Sequence, residues 1–229
     1  MPIAGLQEDL KVFSRWFDKK KEESVSSASL TGLTGPKVPR HSGGWAALRQ
    51  RLDAASGFQA IDIGYTSPAN INYLTGLGHS VFVTDLVRDA CTGNWQTGVG
   101  EDGNPVWNVE DFLEQSLDFS GRMFDVVLLW STLDYLPQAF VFPVVARLFE
   151  ATNPGGLVLA FFHTQTKGEE TAHCRFHVTP GDVVEMQLAQ QFPIQRAFSN
   201  RGIERLFAPW SGYRQFLAKD GVSEVIITR

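Results

Sequence analysis

The stretch Ala60-Ile61-Asp62-Ile63-Gly64-Tyr65-Thr66-Ser67-Pro68, followed by Ser80-Val81-Phe82-Val83-Thr84-Asp85, decides the fold of this chain. Apolar residues run to an acid and a glycine turns the chain. Ser67-Pro68 then supplies an N-cap with proline at the first helical position. Ile71, Leu74 and Leu77 follow at helical spacing, Gly78 closes the helix, and Ser80–Thr84 forms a second strand that ends on Asp85. Strand, glycine turn, capped helix, strand and terminal acid, in this order, build the ligand crevice of a doubly wound α/β sheet. Asp85 lies 21 residues after Gly64, close to the interval of about 20 at which a carboxylate meets ribose hydroxyls in such folds.

The alternation continues downstream. Phe124–Trp130 (FDVVLLW) is a nearly unbroken apolar run, as a central parallel strand buried on both faces requires. Leu136–Ala151 reads as a helix with Pro143 inside it, Asn153-Pro154-Gly155-Gly156 as a turn, and Leu157–Phe162 as another central strand. A third strand is expected within residues 106–113. Thr179, Pro180 and Asp182 together predict a helix start. Ile194–Phe198 and Val222–Thr228 predict two more strands, with a short helix over residues 199–207 between them. The last strand arrives from a loop and can pair antiparallel.

Upstream, Leu6, Leu10, Phe13, Trp16 and Phe17 predict an amphipathic helix over residues 5–23. Residues 24–44, rich in Ser, Thr, Gly and Pro, read as a loop or linker. Trp45, Leu48, Leu52 and Ala55 mark a short helix after it. The expected organisation is an N-terminal helix and linker over residues 1–44 and one α/β domain over residues 45–229.

Composition narrows the function. The chain has 229 residues, of which 43% are hydrophobic, enough for one buried core. Its formal charge of −5 gives no bulk attraction for nucleic acid, and none is expected as a partner. Cys91 and Cys174 form no C-x-x-C pair and read as reduced thiols, which suits a cytoplasmic protein. No secretory signal core and no apolar stretch of membrane-spanning length are present, so no membrane is expected. The charges of the 5–23 helix cancel. It is expected to pack on the domain or on a second subunit, the latter giving a homo-oligomer. Acids dominate residues 101–134 and bases dominate from Arg196 onward, which reads as two differently charged faces.

Four segments, in order, resemble the class I S-adenosylmethionine-dependent methyltransferases. They are Ile61-Asp62-Ile63-Gly64, the acid Asp85, residues 124–137 (FDVVLLWSTLDYLP) and residues 148–162 (LFEATNPGGLVLAFF). The resemblance covers about residues 45–229. It implies a Rossmann-like, doubly wound, mostly parallel seven-stranded sheet with an antiparallel last strand. It also implies S-adenosylmethionine as cofactor and an unidentified methyl acceptor, either a small molecule or a protein group. By position, Asp62 would hold the methionine amino end, while Gly64, Tyr65 and Thr66 form the loop beneath the cofactor. Asp85 would bind the ribose hydroxyls and Leu86 would lie beside the adenine. Glu114, with Asp111 as the alternative, would face the adenine amine. Trp130 and Ser131 would border the methionine and the methyl group.

The chain departs from the family at the glycine loop, where Thr66 and Pro68 stand in the second and third glycine places. Ser67 and Pro68 keep the helix start but reduce the clearance that glycine provides. This departure supports a second expectation, a methyltransferase-like binding or partner protein without catalysis. A nucleotide-dependent oxidoreductase fits less well, because the G-x-G-x-x-G fingerprint is missing. Methyl transfer needs alignment above all, so no catalytic residue is named. Asp134 and Tyr135 follow the Phe124–Trp130 strand, where acceptor chemistry often sits, with a solvated loop acid and a packed tyrosine as equal alternatives, and His163 after the Leu157–Phe162 strand could face the cleft. His173-Cys174-x-x-His177 lacks a fourth ligand and standard spacing, so no metal is expected. Residues 168–177 are expected to form a loop over the cleft. Asn200, Arg201 and residues 210–213 could line an acceptor pocket, with core packing as the default.

Overall fold

A computed structural model describes residues 35–166, 171–216 and 221–229. The helix expected over residues 5–23 lies outside them. Strands are β1 (Lys37–His41), β2 (Gln59–Ile63), β3 (Ser80–Thr84), β4 (Gln96–Val99), β5 (Pro105–Trp107), β6 (Phe124–Trp130), β7 (Thr152–His163), β8 (Thr171–Val178), β9 (Val183–Phe192), β10 (Gly212–Phe216) and β11 (Val222–Thr228). Helices are α1 (Gly43–Asp53), α2 (Pro68–Gly76), α3 (Leu86–Thr92), α4 (Val109–Ser116), α5 (Thr132–Tyr135), α6 (Gln138–Ala151) and α7 (Asn200–Leu206).

The central sheet has six strands in the order β10-β11-β7-β6-β2-β3. The pairs β7–β6, β6–β2 and β2–β3 are parallel. β11 runs antiparallel to both its neighbours, so it is the one reversed strand of an otherwise parallel sheet. The expected fold class holds, with one strand fewer among the described residues than the seven implied.

Period-2 alternation sends the two faces of this sheet into separate cores. Ile61, Ile63, Val127 and Leu129 face one core, with Phe112, Phe140, Val144, Leu148 and Ile203. Ala60, Val126, Leu128 and Trp130 face the other, with Trp45, Leu48 and Leu52 of α1, Leu74 of α2, and Phe176 and Val184. The second face is covered partly by helices and partly by a small antiparallel sheet, β1-β9-β8.

That small sheet overturns several expectations. Thr179 does not start a helix: residues 179–182 turn between β8 and β9, and Thr179 Oγ1 accepts from the Gly181 N–H at 3.3 Å and donates to the Val183 carbonyl at 2.6 Å. Caps and turns use the same hydroxyl chemistry, and the extended runs on either side decide which one forms. The loop expected over residues 168–177 contains strand β8 instead. Lys37–His41, expected as linker, pairs with Val183–Gln187. The strand expected within residues 106–113 is only the three-residue β5, paired with β4 in a separate hairpin, and residues 109–116 form α4. The glycine-rich segment before β5 leaves no apolar run long enough to extend the central sheet past β3. Ile194–Phe198 contains no strand. The edge partner of β11 is β10, which the sequence reading missed. No helix among the described residues is long and apolar enough to cross a membrane.

Candidate functional site

β2, β6 and β7 lie side by side and run parallel, so their carboxyl ends share one rim of the sheet. That rim is where ligands bind in open α/β folds. It carries Asp62 and Gly64 after β2, Asp85 after β3, Trp130 and Ser131 after β6, and His163 at the end of β7.

Asp62 is 1% exposed. One carboxylate oxygen accepts from Trp130 Nε1 at 2.7 Å and the other from Asn70 Nδ2 at 2.8 Å. Both partners follow from periodicity. Asp62 and Trp130 project from the same sheet face, and Asn70 sits in the first turn of α2, three residues after its Ser67 cap. Burial pushes the Asp62 carboxyl up to about 6 against the opposing pull of these two hydrogen bonds. A carboxylate offers about four lone-pair sites, so two remain for a further donor.

Asn70 locks the small sheet onto this rim. It donates to the Phe176 carbonyl at 3.0 Å and accepts from the Val178 N–H at 2.8 Å. Ser67 Oγ meets His177 Nδ1 at 2.8 Å, and His177 Nε2 meets Gln187 Oε1 at 3.1 Å. Gln187 Nε2 donates to the Gly35 carbonyl, which turns its oxygen toward His177 and places the imidazole hydrogen on Nε2. Burial lowers the His177 pKa, which favours the neutral ring.

Trp130 holds a left-handed backbone, φ 48°, which costs a non-glycine residue about 1–3 kcal/mol. The register of β6 on β7 slips between Leu128 and Trp130. The indole is held by its bond to Asp62 and by stacking on Phe176, with ring centroids 4.9 Å apart. It lies on Gly64, where a Cβ would come within 3.3 Å of Trp130 Cδ1. A side chain at position 64 would fit only if the indole gave way by a few tenths of an ångström. Thr66 is exposed, Tyr65 is half-buried, and the Arg175 guanidinium stands 4.7 Å over the Tyr65 ring.

Asp85 is partly buried and caps α3, accepting from the Arg88 N–H at 3.2 Å. Desolvation pushes its carboxyl up, opposed by that bond. Leu86, just behind it, is wholly buried in the core. Glu114 lies on the exposed side of α4, and Asp111 accepts from Asn108 Nδ2 at 2.6 Å at the start of that helix. Ser131 is buried beside Tyr135. The structure therefore gathers Asp62, Gly64 and Trp130, sets Asp85 on the adjacent strand end, and leaves Glu114 facing outward.

Two features escaped the sequence reading. Asn70 was visible only as a polar residue in the first helical turn. Asp134 and His163, noted separately, are joined: Asp134 Oδ2 accepts both the backbone N–H and Nδ1–H of His163, each at 2.7 Å. Among the described residues no group of three or more His, Cys, Asp or Glu could hold a metal ion.

No family profile and no curated protein matches the sequence. Solved structures do. The methyltransferase CcbJ from Streptomyces caelestis aligns over 88% of this chain and 99% of its own, with a TM-score of 0.50 and 15% identity. A TehB-like S-adenosylmethionine-dependent methyltransferase from Corynebacterium glutamicum aligns over 97% and 98%, with a TM-score of 0.45 and 13% identity. TehB from Haemophilus influenzae aligns over 80% of this chain, with a TM-score of 0.45 and 14% identity, and this chain spans 61% of TehB. The likeness to CcbJ, together with the reversed β11, shows that the chain has the class I methyltransferase fold.

Proposed function

We propose that this protein is an S-adenosylmethionine-dependent methyltransferase that passes the methyl group directly to an acceptor, a small molecule or a protein group. One observation carries this reading: two carboxylates, Asp62 and Asp85, stand at the carboxyl ends of adjacent parallel strands β2 and β3, with the side-chain-free Gly64 between them. The residues suit the cofactor. Asp62 keeps lone pairs for an ammonium group, Asp85 keeps an oxygen for ribose hydroxyls, and the Gly64–Thr66 turn passes beneath. Trp130 and Ser131 border the methionine end. Leu86 and Glu114 complete the adenine side in this reading, Leu86 as packing behind Asp85.

S-adenosylmethionine would supply an activated methyl group at this rim. The chain's own part is alignment and exclusion of water, which together lower the barrier without a covalent step. The small sheet contributes by closing one side of the rim through Asn70, Phe176 and Val178. The protein is expected to work in the cytoplasm.

A second reading, a methyltransferase-like binding or partner protein without catalysis, is favoured by the Trp130 indole. It covers Gly64 and bonds to Asp62, so a side chain of the protein itself lies where the methionine end would rest. Calorimetric titration with S-adenosylmethionine, S-adenosylhomocysteine and NADH separates the readings. Micromolar binding of the first two supports the enzyme, and no binding of any of the three supports the partner protein. Asp85→Asn keeps an N-cap for α3 but replaces a charged acceptor. It should weaken binding of S-adenosylmethionine at least tenfold, on the order of the 1.5–3 kcal/mol of a charged hydrogen bond. Unchanged affinity would remove Asp85 from the site.

A further inference from the structure

Asp134 and His163 lie at the rim of the sheet that the methyltransferase reading uses, beyond the residues assigned to the cofactor. Asp134 is 0% exposed. Its Oδ2 takes two hydrogens from His163, while its buried Oδ1 has no hydrogen-bond partner. A buried, half-used carboxylate costs stability unless something compensates for it. The flanking groups are Arg196, whose guanidinium acts on Asp134 electrostatically, and Tyr135 and His173. The Tyr135 ring lies edge-on to His163 at 5.9 Å and to His173 at 5.1 Å. Burial holds His173 down at about 4, so it stays neutral, and pushes the Tyr135 hydroxyl well up, so it stays protonated. Burial likewise pushes Asp134 up, and its bonds from His163 oppose that.

Asp134 Oδ2 accepts the His163 backbone N–H and lies 2.7 Å from Nδ1. With Asp134 ionised, Nδ1 carries the ring hydrogen and the lone pair is left on Nε2. His163 is the member of the pair with exposed surface, 18% of its side chain against 0% for Asp134. An imidazole pinned by a buried carboxylate, on a side chain that keeps some exposed surface, is the arrangement of a general base and its positioning residue.

We propose that His163 accepts the proton of the methyl acceptor, with Asp134 as its positioning residue, and that this acceptor is a hydroxyl, an alcohol or phenol, rather than a group with no proton to lose such as a thioether or a halide. This rests on the methyltransferase reading above. In the step, the acceptor O–H bond breaks and its proton forms a bond to His163 Nε2. An oxygen electron pair forms the bond to the methyl carbon, and the electrons of the broken carbon–sulfur bond stay on sulfur. The proton then leaves the imidazolium to solvent.

The test uses the full chain and two readouts. In nitrogen NMR of the labelled imidazoles, the His163 ring hydrogen is expected on Nδ1 in the wild type and is expected to move toward Nε2 in Asp134→Ala. Asp134→Asn serves if the alanine variant does not fold. With labelled S-adenosylmethionine, transfer is measured to phenol, to 4-nitrophenol and to iodide, which carries no proton. His163→Gln should lower the ratio of phenol to iodide transfer about 100-fold. The deficit should shrink for 4-nitrophenol, which ionises without help near neutral pH. A ring hydrogen on Nε2 in the wild type overturns the proposal. So does a phenol-to-iodide ratio unmoved by His163→Gln, or a wild type that binds the cofactor and methylates no phenol. A wild type that does not bind S-adenosylmethionine overturns the parent reading along with it.

Discussion

Raising the pH from 4 to 7 should weaken this protein relative to its Asp62→Asn variant by about 3 kcal/mol. Asp62 is buried, and its carboxyl rises from an ordinary 3.8 to about 6, chiefly because burial disfavours the charged form. At roughly 1.4 kcal/mol per pH unit, that rise is worth about 3 kcal/mol. The direction follows from proton binding. Below pH 3.8 the group is protonated in both states and carries no penalty. Between 3.8 and about 6 the unfolded chain gives up the proton while the folded chain keeps it, so stability falls as pH rises. Above about 6 both states are ionised and the full penalty persists. Other groups, including Asp85 and Asp134, titrate alike in the two proteins and cancel in the difference. The measurement is urea unfolding of both proteins at half-unit pH steps, compared at constant m-value. Most of the change should fall between about pH 4 and 6. A flat difference across that range would refute the reasoning. So would a wild type that gains on the variant as pH rises, which is the behaviour of a carboxylate held down by a cation.

Three further outcomes are expected. If the cofactor's ammonium group meets Asp62, binding favours the ionised carboxylate, so S-adenosylmethionine binding at pH 5 should release a proton. Calorimetry in buffers of different ionisation enthalpy measures this, and no buffer dependence would count against Asp62 as the ammonium partner. Asn70→Ala removes the bonds to Asp62, to the Phe176 carbonyl and to the Val178 N–H. It should cost about 3–5 kcal/mol, at roughly 1–3 kcal/mol for each buried group left unpaired, and should speed amide exchange at Val178; a loss below about 1 kcal/mol would contradict the latch. Glu224 is buried and paired with Arg40, and it also accepts from Ser42 Oγ at 2.8 Å and the Gly44 N–H at 2.7 Å. Arg40→Ala should therefore cost about 3–5 kcal/mol, while Arg40→Met combined with Glu224→Met should cost less, because no charge is then left buried alone; chemical denaturation of the pair checks this order.

Much of the fold was legible in the sequence because its signals are local. Phe124–Trp130 and Leu157–Phe162 are apolar on both faces, and such runs fit a central parallel strand. Ser67-Pro68 marks a helix start, which the structure keeps, with Ser67 Oγ accepting from the Asn70 N–H. Thr179-Pro180 carried the same signal and meant something else. A hydroxyl followed by proline serves a turn as readily as a cap, and only the pairing of β8 with β9 over distant sequence decides between them. The edge strand within residues 106–113 was lost for a related reason. An edge strand is specified by a neighbour it pairs with, and Pro105–Trp107 found that neighbour in β4.

The sequence alone determined the alternation of strands and helices, the positions of Asp62, Gly64 and Asp85 at strand ends, and the N-cap of the helix between them. These depend on side-chain period and backbone conformation, which a chain carries residue by residue. Only the tertiary structure decided what those carboxylates touch. The Trp130 indole bonds to Asp62 across 68 residues, Asn70 reaches Val178 across 108, and Asp134 pins His163 across 29. Such contacts arise when sheet order brings distant strand ends to one rim, and burial there then sets which groups hold a proton.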